Sequence, residues 1–120
     1  METGIDIVNI NRIRNIDNVD GFIDKYFTNY EKEYINNKMD KFSSIAGLYA
    51  VKESLLKAFG LGIGNGLELK EIGIIHNDNG KPFVELNDSI LNLLKEKHLK
   101  EIKVSISHDG EYAIAICNIL

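Results

Sequence analysis

Residues 46–66 read AGLYAVKESLLKAFGLGIGNG, and this stretch predicts the central helix of the fold. Its apolar side chains recur with the period of an α-helix and fall within one arc of the helical wheel, which predicts a core-facing side. These side chains are Leu48, Val51, Leu55, Ala58 and Phe59. The segment that follows, residues 60–66, has glycine at four of seven positions, which is more than a helix C-cap requires. We therefore predict a buried helix that ends in a glycine-rich turn.

The opposite side of this helix combines small and charged residues. Ala46, Ala50, Glu53 and Lys57 follow one another in steps of three or four residues, so they share one face. Glu53 and Lys57 have two interpretations: a surface ion pair worth about 0.3–0.5 kcal/mol, or a carboxylate and an ammonium that face a ligand. The glycines of residues 60–66 indicate a ligand-binding segment, because glycine exposes backbone N–H groups and lets a bulky molecule approach closely.

The composition predicts one folded domain over residues 1–120. The chain is 44% hydrophobic and has a single proline, as expected of a compact protein. Its formal net charge of −4 argues against general nucleic-acid binding. The N-terminus lacks the pattern of a signal peptide and no apolar stretch approaches about 18 residues, so we expect a cytoplasmic protein without a membrane span. The single cysteine, Cys117, sits among alanines and isoleucines, which favours a buried structural thiol over a nucleophile.

The N-terminal residues predict a strand followed by a helix. Residues 3–8 are rich in β-branched side chains, and Asp6 interrupts them. This carboxylate either points to solvent or, if that face is covered, needs a cation or several hydrogen-bond donors. Residues 9–16 have a helical pattern with Arg12 and Arg14, the only arginines of the chain. Both arginines are interpreted either as solvated helix residues or as recognition groups for phosphate or an acidic protein.

Two further helices are predicted before the central one. Residues 20–27 place aromatic side chains at helical spacing, which favours a core stripe. Thr28 and Glu31 then have the spacing of a capping box, which predicts a helix that runs to about residue 37. We expect the central helix to begin near Ser43 or Ser44 as its N-cap.

The C-terminal half predicts two hairpins and a helix. Residues 67–76 and 81–86 have strand patterns around a turn at residues 77–80, and Pro82 places the second strand at an edge. Residues 88–98 predict an amphipathic helix capped by Asn87 or Asp88.

The last hairpin is predicted over residues 101–119, with a two-residue turn at Asp109-Gly110. In that register His108 pairs with Glu111. His108 then shares a face with Val104, Ile106, Ala113 and Ala115. Both faces of the hairpin are partly apolar, which predicts cover on both sides by helices or by a neighbouring subunit. His108 itself is either a turn residue or a group that donates to a phosphate.

Six motifs occur in the order in which one known family has them. They are Gly4-Ile5-Asp6-Ile7-Val8 with Arg12, Phe27-Thr28 with Glu31, Ala50-Val51-Lys52-Glu53 with Lys57-Ala58-Phe59-Gly60, Gly62-Ile63-Gly64, Asn79-Gly80-Lys81-Pro82, and Ser105-Ile106-Ser107-His108. Each motif alone is a weak signal, but together they extend over nearly the whole chain. In this combination the chain resembles the holo-acyl-carrier-protein synthases, the small bacterial type of 4′-phosphopantetheinyl transferase.

The resemblance implies an α+β fold of the 4′-phosphopantetheinyl transferase type. In that fold helices surround a central helix beside an antiparallel sheet, and three chains form a trimer with active sites between subunits. The implied reaction moves the 4′-phosphopantetheine group of coenzyme A to a serine of apo-acyl carrier protein. The products are adenosine 3′,5′-bisphosphate and the holo-carrier protein that fatty acid biosynthesis uses.

The resemblance also implies roles for individual residues. Asp6 and Glu53 would hold Mg²⁺, and Glu53 and Lys57 would be catalytic, with Lys57 at the pyrophosphate. The serine proton would go to Glu53 or to a metal-bound water. The residues implied to border the coenzyme are Lys57, Gly62, Gly64, Lys81, Pro82 and His108. Arg12 and Arg14 would meet the carrier protein, which is generally acidic and therefore suits a local basic patch.

One position departs from the resemblance. Members of this family commonly have an arginine where this chain has Leu48, and that arginine helps to bind the phosphates of coenzyme A. Its absence predicts weaker coenzyme binding or a compensating lysine such as Lys41.

Two other functions are compatible with parts of the sequence. A non-catalytic module that binds coenzyme A or a carrier protein would account for Leu48, but it leaves Asp6, Glu53 and Lys57 unexplained. A structural oligomeric module would leave the clustered glycines and the small-residue helix face without a role.

Overall fold

The computed structural model describes residues 1–62 and 65–120. Its helices, in chain order, are α1 (Ile10–Arg14), α2 (Val19–Tyr26), α3 (Asn29–Asn36), α4 (Lys41–Phe59) and α5 (Asp88–Glu96). Its strands are β1 (Glu2–Asn9), β2 (Ile74–His76), β3 (Pro82–Val84), β4 (Ile102–Asp109) and β5 (Tyr112–Ile119). The predicted α+β class, with antiparallel strands and a long central helix, is confirmed.

The N- and C-terminal strands form one antiparallel sheet in the order β1-β5-β4. Asp6 lies opposite Ala115, which in turn lies opposite Ile106. Because directly opposed side chains share a face, these three residues point the same way. That face carries buried Ala113, Ala115 and Cys117 and packs against α4. β2 and β3 form a separate two-stranded sheet.

α4 lies against β1 at very short range because β1 has a glycine at the contact. A Cβ atom added to Gly4 would lie only 1.9 Å from the carbonyl oxygen of Ser54 and 2.6 Å from the backbone nitrogen of Ala58. No side chain fits there without moving the helix. Gly4 therefore sets the distance between the strand that carries Asp6 and the helix that carries Glu53 and Lys57.

The predicted division of α4 into a core face and an open face is only partly right. Ala46 and Ala50 are fully buried, and so are Lys52 and Ser54. The helix is covered on most of its circumference, since the three-stranded sheet packs along one side and α1 and α3 also contact it. Small residues at Ala46 and Ala50 thus serve packing.

The predicted N-cap of α4 is wrong by three to four residues. Asp40 is the N-cap, and its carboxylate accepts a hydrogen bond of 3.1 Å from the backbone N–H of Ser43. A carboxylate at this position also interacts favourably with the positive end of the helix dipole. At the other end Gly60 is the C-cap with φ of 73°, a conformation that glycine adopts without steric cost.

The predictions for the two preceding helices are confirmed. Thr28 and Glu31 form the capping box: the Thr28 hydroxyl accepts from the Glu31 N–H at 3.2 Å, and a Glu31 carboxylate oxygen accepts from the Thr28 N–H at 2.8 Å. Phe27 is fully buried beside partly buried Phe22 and Tyr26, so the aromatic stripe belongs to the core. α5 is capped by Asn87, as expected.

The strand predicted over residues 67–76 is mostly wrong. Only Ile74–His76 is extended and paired, whereas Leu69–Glu71 forms a 3₁₀ turn. The apolar residues of this segment are buried, but the carbonyl of Leu69 bonds to the ammonium of Lys52 instead of a neighbouring strand. The apolar pattern therefore reflected burial of an irregular segment.

The last hairpin has a different register from the predicted one. Asp109 pairs with Tyr112, so the loop residues are Gly110 and Glu111, and His108 pairs with Ala113. Gly110 has φ of 58°, which suits glycine at the first position of a two-residue loop. Because the register differs by two residues, the predicted faces are unchanged. Cys117 is buried as predicted, and burial raises the pKa of its thiol to about 12.

The other face of the three-stranded sheet is apolar and open. Its exposed isoleucines are Ile5, Ile7, Ile114 and Ile116. The prediction that both hairpin faces are partly apolar is thus confirmed. Over residues 1–62 and 65–120, no helix combines the length and hydropathy that a bilayer-spanning segment requires.

Candidate active site

Asp6 and Lys57 meet where β1 passes under the C-terminal half of α4. The Lys57 ammonium donates to an Asp6 carboxylate oxygen at 3.1 Å and to the Ile5 carbonyl at 3.0 Å. The Asp6 side chain is 16% exposed and that of Lys57 is 54% exposed. The Asp6 carboxylate is therefore largely covered and has a cation, as the sequence required for a covered face, whereas Lys57 remains open to solvent.

Glu53 lies one helical turn before Lys57 and lines the same cleft as Asp6. Burial raises the pKa of the Glu53 carboxyl; the Tyr49 hydroxyl and the Lys57 charge oppose this rise, and the Asp6 charge adds to it. Burial and the Glu53 charge also raise the pKa of Tyr49. Lys57 pairs with Asp6, so the interpretation of Glu53 and Lys57 as a plain surface pair does not hold.

The cleft beside these groups has a volume of about 380 Å³. It is lined by Asp6, Ile7, Val8, Arg12, Ile13, Ile16, Phe22, Tyr49 and Glu53. Two carboxylates and a guanidinium thus line a cavity whose other residues are mostly apolar. Such a cavity suits a ligand that combines charged groups with an uncharged arm.

A second groove, of about 450 Å³, contains the other predicted coenzyme residues. Lys81, Pro82 and His108 line it together with Tyr34 and His76. The Nε2 atom of His108 lies 3.0 Å from the Ser43 carbonyl, so this nitrogen carries the proton and donates to that oxygen. Gly47 leaves room for this contact, because an added Cβ atom would lie 3.1 Å from His108 Nε2.

The cleft and the groove lie at opposite edges of the same sheet. Asp6 is on β1 and His108 is on β4, and β5 separates the two strands. Adjacent strands are about 4.8 Å apart, so the edges are about 10 Å apart, with α4 packed over the face between them. One chain therefore brings Asp6, Glu53 and Lys57 together but does not bring them into one cavity with Lys81 and His108.

The glycine-rich segment is only partly described. Gly62 is exposed just beyond the end of α4, and an added Cβ atom would lie 2.9 Å from the side-chain nitrogen of Asn65. Gly64, also predicted to border the coenzyme, lies outside the described residues.

The two arginines point to different places. Arg12 lines the cleft with Asp6 and Glu53. The Arg14 guanidinium lies 3.7 Å from the Asp40 carboxylate and 5.5 Å from the centre of the Phe42 ring, at the start of α4. Both lie on α1, directly after the strand that carries Asp6.

Leu48 and Lys41, at the position of the family arginine and of its possible replacement, do not line the cleft or the groove. Leu48 is 2% exposed and belongs to the core. Lys41 lies 4.0 Å from Asp20 and lines a further small cavity with Lys32.

Sequence reasoning missed Tyr49 and the ion pair of Lys52 with Glu31. Tyr49 precedes Glu53 by four residues, so the helical spacing was a usable signal for a shared face. Lys52 and Glu31 are 21 residues apart, and their fully buried pair of 2.7 Å had no local signal.

Comparison with known proteins gives a consistent result. The family model described as the 4′-phosphopantetheinyl transferase superfamily matches residues 2–117. A holo-[acyl-carrier-protein] synthase of Clostridium beijerinckii is 45% identical over 113 residues, which cover 93% of this chain and 90% of that protein. One of Caldanaerobacter subterraneus is 39% identical over 114 residues, covering 94% of this chain and 89% of that protein.

Solved structures are similar over almost the whole chain. The holo-[acyl-carrier-protein] synthase of Helicobacter pylori, determined in complex with coenzyme A, has a TM-score of 0.86 and is 32% identical, covering 98% of this chain and 99% of that chain. The enzyme of Neisseria meningitidis has a TM-score of 0.88 at 25% identity, covering 99% and 97% of the two chains.

Proposed function

The chain belongs to the 4′-phosphopantetheinyl transferase superfamily, and from this premise we propose how its residues carry out the reaction. The protein is an enzyme that transfers the 4′-phosphopantetheine group of coenzyme A to a serine of apo-acyl carrier protein. The products are holo-acyl carrier protein and adenosine 3′,5′-bisphosphate. We propose that residues 1–120 act as one transferase domain.

The observation that carries the mechanism is the meeting of Asp6, Glu53 and Lys57 at one cleft. Transfer of a phosphoryl group requires positive charge beside the phosphates and an acceptor for the proton of the attacking hydroxyl. Lys57 supplies a half-exposed ammonium, and Glu53 supplies a carboxylate whose pKa is raised by burial, which makes it a stronger base. Asp6 holds the Lys57 ammonium at the cleft.

The donor set at this cleft fits magnesium. Mg²⁺ commonly takes one or two carboxylates and completes its coordination with waters and substrate phosphate oxygens. Asp6 and Glu53 offer two carboxylates, and the Lys57 ammonium beside Asp6 already marks a position where positive charge is favourable. Among the described residues no third His, Cys, Asp or Glu joins them to form a cluster. We therefore assign Asp6 and Glu53 as the protein ligands of the metal.

The reaction exchanges one phosphorus–oxygen bond for another. The serine oxygen forms a bond with the phosphorus that carries pantetheine, and the bond from that phosphorus to the bridging oxygen breaks. The bridging oxygen leaves with adenosine 3′,5′-bisphosphate, and the serine proton goes to Glu53 or to a water that Glu53 orients. Lys57 leaves Asp6 to neutralise the pyrophosphate. Asp6 and Glu53 would hold Mg²⁺, which would supply further positive charge at the phosphates.

The nucleotide end of the coenzyme would occupy the groove of a neighbouring chain. Lys81, Pro82 and His108 line that groove but lie across α4 from Asp6. The open isoleucine face of the sheet supports an assembly, because exposed contiguous apolar side chains commonly mark an interface. We propose a homotrimer in which Asp6 of one chain and His108 of the next border one active site, with Gly62 and Gly64 near the phosphates.

A mixing experiment tests this shared site. Asp6→Asn and His108→Ala variants are each expected to be nearly inactive, but trimers formed from an equal mixture contain intact sites. Random assembly into a closed ring makes about a quarter of the sites intact, so about a quarter of the wild-type activity should return.

The assembly has its own control. Ile114→Glu should give a monomer in sedimentation equilibrium, whereas Leu91→Glu on α5, a similarly exposed apolar position, should leave the trimer unchanged. A wild-type monomer across micromolar concentrations, or a mixture without regained activity, would contradict the proposal.

Arg12 and Arg14 are the proposed contacts for the carrier protein. They are the only arginines of a chain with net charge −4, and Arg12 lines the cleft where the serine must arrive, with Arg14 two positions further along α1. An acidic carrier would be attracted to this local positive charge.

Mass spectrometry of apo-acyl carrier protein incubated with the enzyme, coenzyme A and Mg²⁺ tests the function as a whole. The expected result is the gain of one phosphopantetheine group on a serine of the carrier. Binding of coenzyme A without this gain would favour the non-catalytic module.

A further inference from the structure

Lys52 and Glu31 form a buried ion pair that the reaction does not use. Both side chains are fully buried, and the ammonium lies 2.7 Å from a Glu31 carboxylate oxygen. The ammonium also donates to the carbonyls of Tyr26 at 2.9 Å and Leu69 at 3.0 Å. All three ammonium hydrogens therefore have acceptors inside the protein, and none is available to a substrate.

Glu31 distributes its bonds in the same way. One carboxylate oxygen accepts from Lys52 and from the Thr28 N–H, and the other accepts from the Ile74 N–H at 2.7 Å. The ion pair therefore connects α4 with the end of α2, the start of α3, the 3₁₀ turn and β2. We refer to the side chains of Lys52 and Glu31 as the buried clamp.

The buried clamp leads directly to residues of both cavities. Lys52 precedes Glu53, and successive helical residues are rotated by about 100°, so the clamp fixes the rotation of α4 that aims Glu53 at the cleft. On the other side Ile74 begins the hairpin that carries Lys81. The Lys81 backbone is bonded on both sides to Asn77, at 3.0 and 2.9 Å, so Lys81 follows β2 as a rigid extension.

Stability alone is a weak explanation for such a pair. Removing two charges from water is costly, and apolar side chains of similar volume often replace a buried pair without loss of stability. Apolar replacements, however, have no directional bonds to the carbonyl of Leu69 or to the N–H of Ile74. The directional bonds are thus what this pair adds to the fold.

We propose that Lys52 and Glu31 are positioning residues for coenzyme A: they fix the Lys81 hairpin relative to the Glu53 turn of α4, so that each chain presents Glu53 to one coenzyme and Lys81 to the coenzyme that it shares with a neighbouring chain. The proposal rests on the proposed function, in which Glu53 of one chain and Lys81 of another border each coenzyme. The clamp does not hold α1, where Arg12 and Arg14 lie. Loss of the clamp should therefore weaken binding of the coenzyme and leave recognition of the carrier protein unchanged.

The test is a neutral replacement, Lys52→Met with Glu31→Gln. The introduced glutamine retains an oxygen that accepts from the N–H of Ile74 or Thr28, and its amide group can donate to the vacated carbonyls, so no buried charge is left unpaired. We expect a folded protein whose dissociation constant for adenosine 3′,5′-bisphosphate, measured by calorimetry without carrier protein, rises between about tenfold and about 100-fold. The KM for carrier protein should stay within about twofold of the wild-type value, because the clamp does not hold the helix that carries Arg12 and Arg14.

The matched control is Lys32→Met with Asp24→Asn. Lys32 and Asp24 form a pair of 2.8 Å that also involves α3, but it lies at the surface. This control should bind the bisphosphate like the wild type. If the wild type transfers phosphopantetheine but a folded clamp variant binds the bisphosphate with unchanged affinity, the proposal about the clamp is wrong and the proposed function stands.

A measurement on the unaltered protein covers the case in which the clamp variant does not fold. If the clamp is a rigid connection, the amide hydrogens of Ile74 and Lys52 exchange with solvent at the slowest rates, those set by global unfolding. Exchange at Ile74 that is at least about tenfold faster than at Lys52 would mean that the hairpin opens independently of α4, and the proposal would be wrong.

Discussion

Two lysines of the same helix, five positions apart, form ion pairs with opposite character. Lys52 pairs with Glu31 at 2.7 Å with both side chains fully buried, whereas Lys57 pairs with Asp6 at 3.1 Å with the lysine 54% exposed. The first ammonium has three protein acceptors. The second contacts Asp6 and the Ile5 carbonyl and remains open to a further ligand.

This difference separates a structural ion pair from a binding site. A closed pair cannot exchange partners without leaving a charge buried, so it holds elements in place. A half-open pair is weak because water screens it, and its ammonium can therefore move from a carboxylate to a phosphate at little cost. The strength of an ion pair and its usefulness to catalysis are thus inversely related along α4.

The largest expected effect comes from removing each lysine in turn. Lys52→Met leaves Glu31 charged and buried, so the free energy of unfolding should fall by about 3–5 kcal/mol. Lys57→Met leaves Asp6 at the open cleft, where water can replace the half-exposed ammonium, and should change the free energy of unfolding by less than about 1 kcal/mol. Urea unfolding at pH 7 measures both values, and equal losses for the two variants would contradict the comparison.

Replacing either carboxylate of the cleft, Asp6 or Glu53, should reduce activity and leave the fold intact. Asp6→Asn and Glu53→Gln each remove a proposed metal ligand, and each should lower kcat/KM by about 10³-fold, which corresponds to about 4 kcal/mol. Their circular dichroism spectra should match that of the wild type. Full turnover of the wild type in excess EDTA would show that these carboxylates have another role.

A third pair, Arg14 with Asp40, lies at the surface. Its arginine should affect only the binding of the carrier protein. Arg14→Glu should raise the KM for carrier protein by about one to two orders of magnitude, where tenfold corresponds to about 1.4 kcal/mol. The KM for coenzyme A should hardly change. Added salt should narrow the gap between variant and wild type, because the Debye length at physiological salt is about 8 Å. An unchanged carrier KM at low salt would place the docking surface elsewhere.

The smallest effect concerns stability and pH at Glu53. Because burial raises its pKa in the folded state, ionisation of Glu53 opposes folding, and the stability present at low pH is lost as pH rises through the folded pKa. Glu53→Gln should therefore be slightly more stable than the wild type above that pKa, by less than about 1 kcal/mol, although it is inactive. Thermal unfolding from pH 4 to pH 8 measures the difference, and a variant less stable than the wild type at pH 8 would contradict the sign.

Local patterns predicted much of the fold because their causes are local. Three correct predictions depend on residues within a few positions of one another. They are the capping box of Thr28 with Glu31, the Asn87 cap, and the assignment of side chains to the two faces of the last hairpin. The segment at residues 67–76 was predicted wrongly because buried apolar residues look alike in a strand and in an irregular segment. The start of α4 was displaced because Asp40 and Ser43 are both good caps.

What the sequence by itself determined is the set of reactive groups and their order: Asp6 in a strand, Glu53 and Lys57 on one helix, Lys81 and His108 in the later hairpins. What only the tertiary structure decided is which of them meet. Lys57 turns to Asp6 because Gly4 lets α4 approach β1, and Lys52 turns inward to Glu31, 21 residues away. Such contacts depend on the packing of elements distant in sequence, and the short-range periodicity of side chains contains no information about them.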